Sequence, residues 1–151
     1  MEISARGEYA IRALAELTQA GGGPLTVSEL AAAQDIPVRF LQNILLLLRQ
    51  RSLVHSQRGA EGGYRLARPA GSITLADILR AVDGPLAAVR GERPESVCYV
   101  GAAQPLADVW FALRTSMRNV IEHVTLDDLV HGPLPASVTG LTENPEAWVS
   151  G

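Results

Sequence analysis

The apolar residues of this chain leave helical spacing in one stretch only, which begins at residue 53. Up to that point they recur at helical spacing. Over Leu53-Val54-His55-Ser56-Gln57 and again over Tyr64-Arg65-Leu66-Ala67-Arg68 they alternate, as in a strand. Between the two lies Arg58-Gly59-Ala60-Glu61-Gly62-Gly63, and its three glycines supply the positive φ values that a hairpin tip needs. Pro69 closes the hairpin. All other periodic segments are helical, so the expected fold is mainly α with one two-stranded β-wing.

Three helices precede the hairpin. Ser4 caps the first, over 4–20, in which Tyr9, Ala10, Ala13, Leu14 and Leu17 share a face. Gly21-Gly22-Gly23-Pro24 ends it. Thr26-Val27-Ser28-Glu29 is a capping box that opens the second helix, which runs to about Gln34. Asp35-Ile36-Pro37 makes a tight turn into the third, about 37–51, with Phe40, Leu41, Ile44, Leu45 and Leu48 on its apolar side. After the hairpin, Thr74 caps a fourth helix bearing Leu75, Ile78, Leu79 and Val82, and Asp83-Gly84-Pro85 stops it. Residues 85–103 read as a long loop containing Cys98. A long helix follows over 104–124, then a short turn at Thr125–Leu129. An extended tail is expected over 131–151.

Charge is unevenly placed. All 13 basic residues are arginine, against 16 acids, and the net charge is −3. Residues 39–68 hold Arg39, Arg49, Arg51, Arg58, Arg65 and Arg68 against Glu61 alone, whereas both flanking regions are acidic. One basic island in an acidic chain suits a polyanion. A single cysteine excludes an intrachain disulfide framework. No apolar run reaches the length of a membrane span, and residues 1–6 lack the character of a signal peptide, so a cytoplasmic protein is expected. No phosphate-binding loop or Ser–His–Asp pattern occurs, and His55, His123 and His131 have no metal-ligand spacing, so neither an enzyme nor a metal site is expected.

Helix, short turn, helix, then a glycine-tipped hairpin is a winged helix-turn-helix, here over residues 1–84. Its third helix lies in a DNA major groove, and the basic island falls on that helix and the wing. Val38, Arg39, Gln42 and Asn43, in the first two turns, are placed to meet base edges. Arg49 and Arg51, at the far end, favour the helix dipole or hold phosphates. In the wing, Arg58, Gly59 and Arg65 are the DNA-facing candidates, and Tyr64 is expected to pack at its base. The other reading of such a domain is a winged helix that binds protein. The long helix carries Val109, Trp110, Leu113, Met117, Val120 and Val124 in a stripe too wide for one small domain to cover, so it is expected to form a dimer interface.

The segment Arg58–Ala67 resembles the wing signature of the Rrf-two family of bacterial regulators. Ser4–Leu14 is similar to that family's first helix, and Leu41–Leu53 to its recognition helix and strand entry. Thr74–Ile78, Asp83–Leu86, Val109-Trp110 and Thr125–Leu129 extend the likeness to about residue 130. The resemblance implies a homodimeric transcription factor, here a repressor on a near-palindromic operator. It makes 85–103 a sensor-like loop and 104–130 the dimerisation region.

Well-known members hold an iron–sulfur cluster through three cysteines in that loop. At six-residue spacing this chain offers Glu92, Cys98 and Gln104, and Glu8 stands where some members place a carboxylate ligand. One thiol is poor provision for such a cluster, so no cofactor is expected. Cys98, with Glu8 and Glu92, is retained as a sensor candidate for redox or iron–sulfur signals. The family also has members without clusters, so a regulator of sulfur or cysteine metabolism answering a small molecule or protein is the other reading. The effector is unknown.

Overall fold

The structure, a computed structural model, describes residues 2–149. Helix α1 (Ala5–Gln19) starts at Ser4, whose Oγ accepts the Gly7 N–H at 2.9 Å. Its buried side carries Ala10, Ala13, Leu14 and Leu17. The capping box of α2 (Val27–Gln34) forms as expected: Thr26 accepts from the Glu29 N–H and the Glu29 carboxylate accepts from the Thr26 N–H. Asp35 ends α2 in the left-handed region at φ 52°, and the chain re-enters helix at Val38. Helix α3 (Val38–Gln50) buries Leu41, Ile44, Leu45 and Leu48. Phe40 was expected on that buried side but is 41% exposed, packing edge-on against Tyr9 of α1 at the rim. It lies one residue ahead of the Leu41–Leu45–Leu48 stripe, so helical rotation turns it partly outward.

Strands β1 (Val54–Gln57) and β2 (Gly63–Leu66) pair antiparallel with Val54 opposite Leu66 and Gln57 opposite Gly63. Leu25, just before α2, adds a bridge to Tyr64 through two backbone hydrogen bonds of 3.0 and 2.7 Å. That close approach explains Gly63. A Cβ there would lie 2.6 Å from the Leu25 carbonyl oxygen, and its φ of +144° disfavours any side chain. Tyr64 packs against the core at the wing base, as expected.

Helix α4 (Leu75–Asp83) opens with a second capping box, Thr74 with Asp77, and buries Ile78, Leu79 and Val82. It crosses α1 closely at Gly7, where a Cβ would sit 2.7 Å from Leu79 Cδ2. The 85–103 segment is ordered by a Val89–Glu92 bridge and 3-10 turns at Pro94–Ser96 and Gly101–Ala103. Helix α5 (Leu106–Ile121) follows, and none of its residues is buried.

The chain then returns to the winged-helix core. Helix α6 (Leu126–His131) opens with a third capping box, Thr125 with Asp128, and lies against α1. Leu126 is fully buried in the same cluster as Leu14 and Ile78. The Leu126 N–H donates to the Ile73 carbonyl and the Leu75 N–H to the Val124 carbonyl. Two sequence expectations change as a result. Residues 124–131 belong to the winged-helix head, which therefore does not end at residue 84. Val124, expected in a dimer interface, is 3% exposed and already covered by its own chain.

The expected extended tail is also corrected. Residues Ala136–Thr142 form α7, which touches α5, and Pro145–Trp148 form a 3-10 turn. The residues that read as breakers sit largely at the ends of these pieces: Pro135 precedes α7 and Asn144 caps the turn. Ser150 and Gly151 lie outside the described residues. Because α6 completes the head, Leu126→Ala should cost about 3 kcal/mol, a core-sized loss, when measured by urea unfolding. A loss below about 1 kcal/mol would mean that α6 is an appendage.

Candidate nucleic-acid interface

The buried stripe of α3 leaves a facing stripe in solvent. Val38, Arg39, Gln42 and Asn43 are all exposed, and Leu46 joins them at 44%. Leu46 escaped the sequence reading because it lies within the run Ile44–Leu48, which looks uniformly apolar. Helical geometry buries Ile44, Leu45 and Leu48 and turns Leu46 out, one turn beyond Gln42. An exposed apolar side chain here is suited to contact a thymine methyl group.

The wing supplies the second part of the surface. Arg58 and Gly59 occupy the exposed tip, and Arg65 is exposed on β2 opposite His55. Arg49 Nη1 donates to Ser56 Oγ at 3.2 Å, joining the end of α3 to β1. Arg51, at the end of α3, is exposed and lines a cavity shared with α4 and α5.

Among the described residues, most arginines outside the basic island are ion-paired, Arg90 and Arg93 excepted. Arg6, Arg12, Arg80, Arg114 and Arg118 are each paired with a carboxylate. Within the island only Arg68 is, with Asp77 at 3.3 Å. Arg39, Arg49, Arg51, Arg58 and Arg65 are exposed and have no such partner. Five unneutralised guanidiniums on one helix and its wing leave a positive field that phosphates can answer.

The chain matches the Rrf2 family, described as "Iron-dependent Transcriptional regulator", over residues 3–132. It belongs to the Rrf2 family. An HTH-type transcriptional regulator of Mycobacterium tuberculosis strain H37Rv, Rv1287, is 49% identical over 151 residues, covering 99% of this chain and 94% of that one. The regulator CymR of Bacillus subtilis is 31% identical over 130 residues, covering 85% and 89%. The solved structure of B. subtilis CymR, titled a global cysteine regulator, matches with a TM-score of 0.73 at 29% identity, over 87% of this chain and 97% of that one. That of T. potens IscR matches at 0.70 and 28%, over 100% and 93%. This Rrf2-family chain is thus a DNA-binding transcriptional regulator with a winged-helix fold, and not an enzyme.

The iron in the family's description finds no donor set in this chain. Cys98 is the sole cysteine and is exposed in the loop before α5. Glu8 pairs with Arg12 at 3.5 Å, and Glu92 sits in the Val89 turn. Among the described residues no three His, Cys, Asp or Glu side chains of one chain come together. Cys98, Glu8 and Glu92 are thus not gathered into a three-residue metal site among the described residues.

The sequence reading also missed the tie between head and α5. Glu122, just past α5, accepts from Arg80 of α4 and from Arg118 Nε at 2.9 Å. Arg80 and Glu122 are 42 residues apart, so no local pattern announces them. The Arg80 hydrogen bond, then that of Arg118, holds the Glu122 carboxyl below the usual carboxylate range. Such a group adds stability at neutral pH that fades as pH falls through its lowered folded value. Stability should therefore drop as pH falls below about 5, and Glu122→Gln should flatten part of that drop. Urea midpoints across this range check it. An unchanged acid slope in Glu122→Gln would show that the contact contributes nothing.

Proposed function

We propose that the chain is a homodimeric repressor that acts in the cytoplasm on a near-palindromic operator. The observation that carries this reading is the set of five exposed, unpaired arginines on α3 and the wing. Val38, Arg39, Gln42 and Asn43 read base edges, with Arg suited to guanine and Gln or Asn to adenine. Arg49 and Arg65 hold phosphates, and Arg58 with Gly59 reaches the minor groove or its rim. Arg51 lies where it can meet phosphate or serve the cavity described below.

Dimerisation is supported by α5. Val109 and Leu113 are 54% and 37% exposed, and Trp110, Met117 and Val120 are only half-buried. Trp110, Leu113 and Met117, with Pro85–Val89, line an apolar groove of about 450 Å³. An apolar helix face beside an apolar groove fits a second copy of the same helix about a two-fold axis. Trp110 is held for that role by its Nε1, which donates to Tyr99 Oη at 2.8 Å. Two heads carried by one helix pair reach successive major grooves, ~34 Å apart or a small multiple of that, which makes the operator two-fold symmetric.

Light scattering should give twice the chain mass of 16.1 kDa at micromolar concentration. Leu113→Asp should give a monomer with an unchanged circular dichroism spectrum. A wild-type monomer would sink the dimer reading. Sites selected from a random duplex pool should be near-palindromic. Asn43→Ala should relax preference at particular bases at a cost of about 1–3 kcal/mol. Arg58→Ala should weaken all sequences alike and reduce the salt slope by about 1. If Arg58→Ala alters preference and leaves overall affinity intact, these two roles are reversed.

A further inference from the structure

A second arginine cluster lies where the head meets α5. Arg51, Arg68, Arg80, Arg93, Arg114 and Arg118 converge on one cavity of about 440 Å³, and its only acidic lining residues are Asp77 and Glu95. Arg68 is paired with Asp77 at 3.3 Å and Arg114 with Glu95 at 2.6 Å. Arg80 and Arg118 share the single carboxylate of Glu122. Among the described residues, Arg51 and Arg93 have no carboxylate partner. Six guanidiniums thus line, with two carboxylates, a concave space whose walls include Leu53, Leu86 and Pro94, and Glu122, outside the lining, is the third carboxylate they pair with. Gathering like charges in a concavity is unfavourable unless an anion offsets them. The planar fork of guanidinium matches phosphate and carboxylate oxygens. The volume falls within the range that small ligands occupy.

The cluster differs from the DNA-facing one. Arg93, Arg114 and Arg118 come from the 85–103 segment and α5, outside the helix-turn-helix and wing. The Arg114 side chain is 19% exposed, within reach of a small ligand but recessed from a duplex.

We propose that this cavity binds a small organic anion with at least two negative charges, carried on phosphate or carboxylate groups, and that its occupancy lowers affinity for DNA. The regulatory half rests on the DNA-binding reading above. Its physical basis is twofold. The anion neutralises Arg51, which belongs to the basic island and has no carboxylate partner among the described residues. It also bridges α3, α4, the loop and α5, whose relative placement sets the separation of two heads in a dimer. By linkage, DNA and anion must then weaken each other equally.

The test uses the full-length protein with inorganic pyrophosphate and with citrate, ionic strength held constant with sodium chloride. At least one should raise the unfolding temperature saturably, with half-saturation near or below about 1 mM. Pyrophosphate alone would assign phosphate, citrate alone carboxylate, and both would assign charge without preference. Arg93→Gln should shift half-saturation about tenfold or more, and Arg93→Glu should abolish it. On a mixed-sequence duplex, the anion that stabilises should weaken wild-type binding about fivefold or more. Arg93→Gln should bind that duplex like the wild type without anion and lose the response. No saturable stabilisation by either anion, or the same stabilisation in Arg93→Glu, overturns the site. Stabilisation with no effect on DNA affinity overturns the regulatory half. Weak DNA binding by Arg93→Gln without anion would reassign the cluster to DNA phosphates. If the wild type binds no duplex while pyrophosphate or citrate still stabilises it, the DNA-binding reading fails and the anion site stands.

Discussion

The buried side of α1 is the surface against which the DNA-binding head is assembled. Gly7 leaves room for the Leu79 side chain of α4, whose Cδ2 would lie 2.7 Å from a Cβ there, and Ala10, Ala13, Leu14 and Leu17 form the buried side of α1, on which α3, α4 and α6 pack. Because α3 rests on this helix through Leu41, Ile44, Leu45 and Leu48, its opposite face has no choice but to meet solvent. The exposed stripe of Val38, Arg39, Gln42 and Asn43 is therefore a by-product of the core. The wing is tied to the same frame by the Leu25–Tyr64 bridge and by Arg49 reaching Ser56.

The return of the chain at Leu126 gives the fold its mechanical interest. A helix appended after residue 104 and left there would be free to swing. Instead, α5 is held at both ends. Its far end passes directly into the core through Val124 and Leu126, and Glu122 ties that end to Arg80 of α4. Its near end follows the loop, where Glu95 holds Arg114 and Tyr99 accepts from Trp110. A change at the loop or in the arginine-lined cavity thus bears on α4 and the head through bonded contacts.

The departure from the iron description is chemical. Iron–sulfur clusters are held mainly by thiolates, and this chain has one thiol, exposed, with oxygen and amide groups at the neighbouring six-residue positions. The arginine cavity lies in the same part of the molecule, between the head and α5.

Much of the head was legible before any coordinates. The capping box at Thr26, the cap at Thr74, the glycine break after α1, the Asp35–Pro37 turn and the switch from helical to alternating period are local signals, each satisfied within a few residues. The basic island was equally plain, since charge is counted along the chain. What sequence alone left undecided was which apolar residues face inward where several run together. Phe40 and Leu46 turned outward, because a helix has room for only one buried stripe against α1. Val124 and α6 joined the head, and the tail became helix and turn, because contacts between residues far apart in the chain outweighed local breaker signals. The convergence of Arg51, Arg68, Arg80, Arg93, Arg114 and Arg118 was likewise invisible in sequence. Their spacings follow no period, and only the packing of α3, β2, α4, the loop and α5 brings them to one cavity.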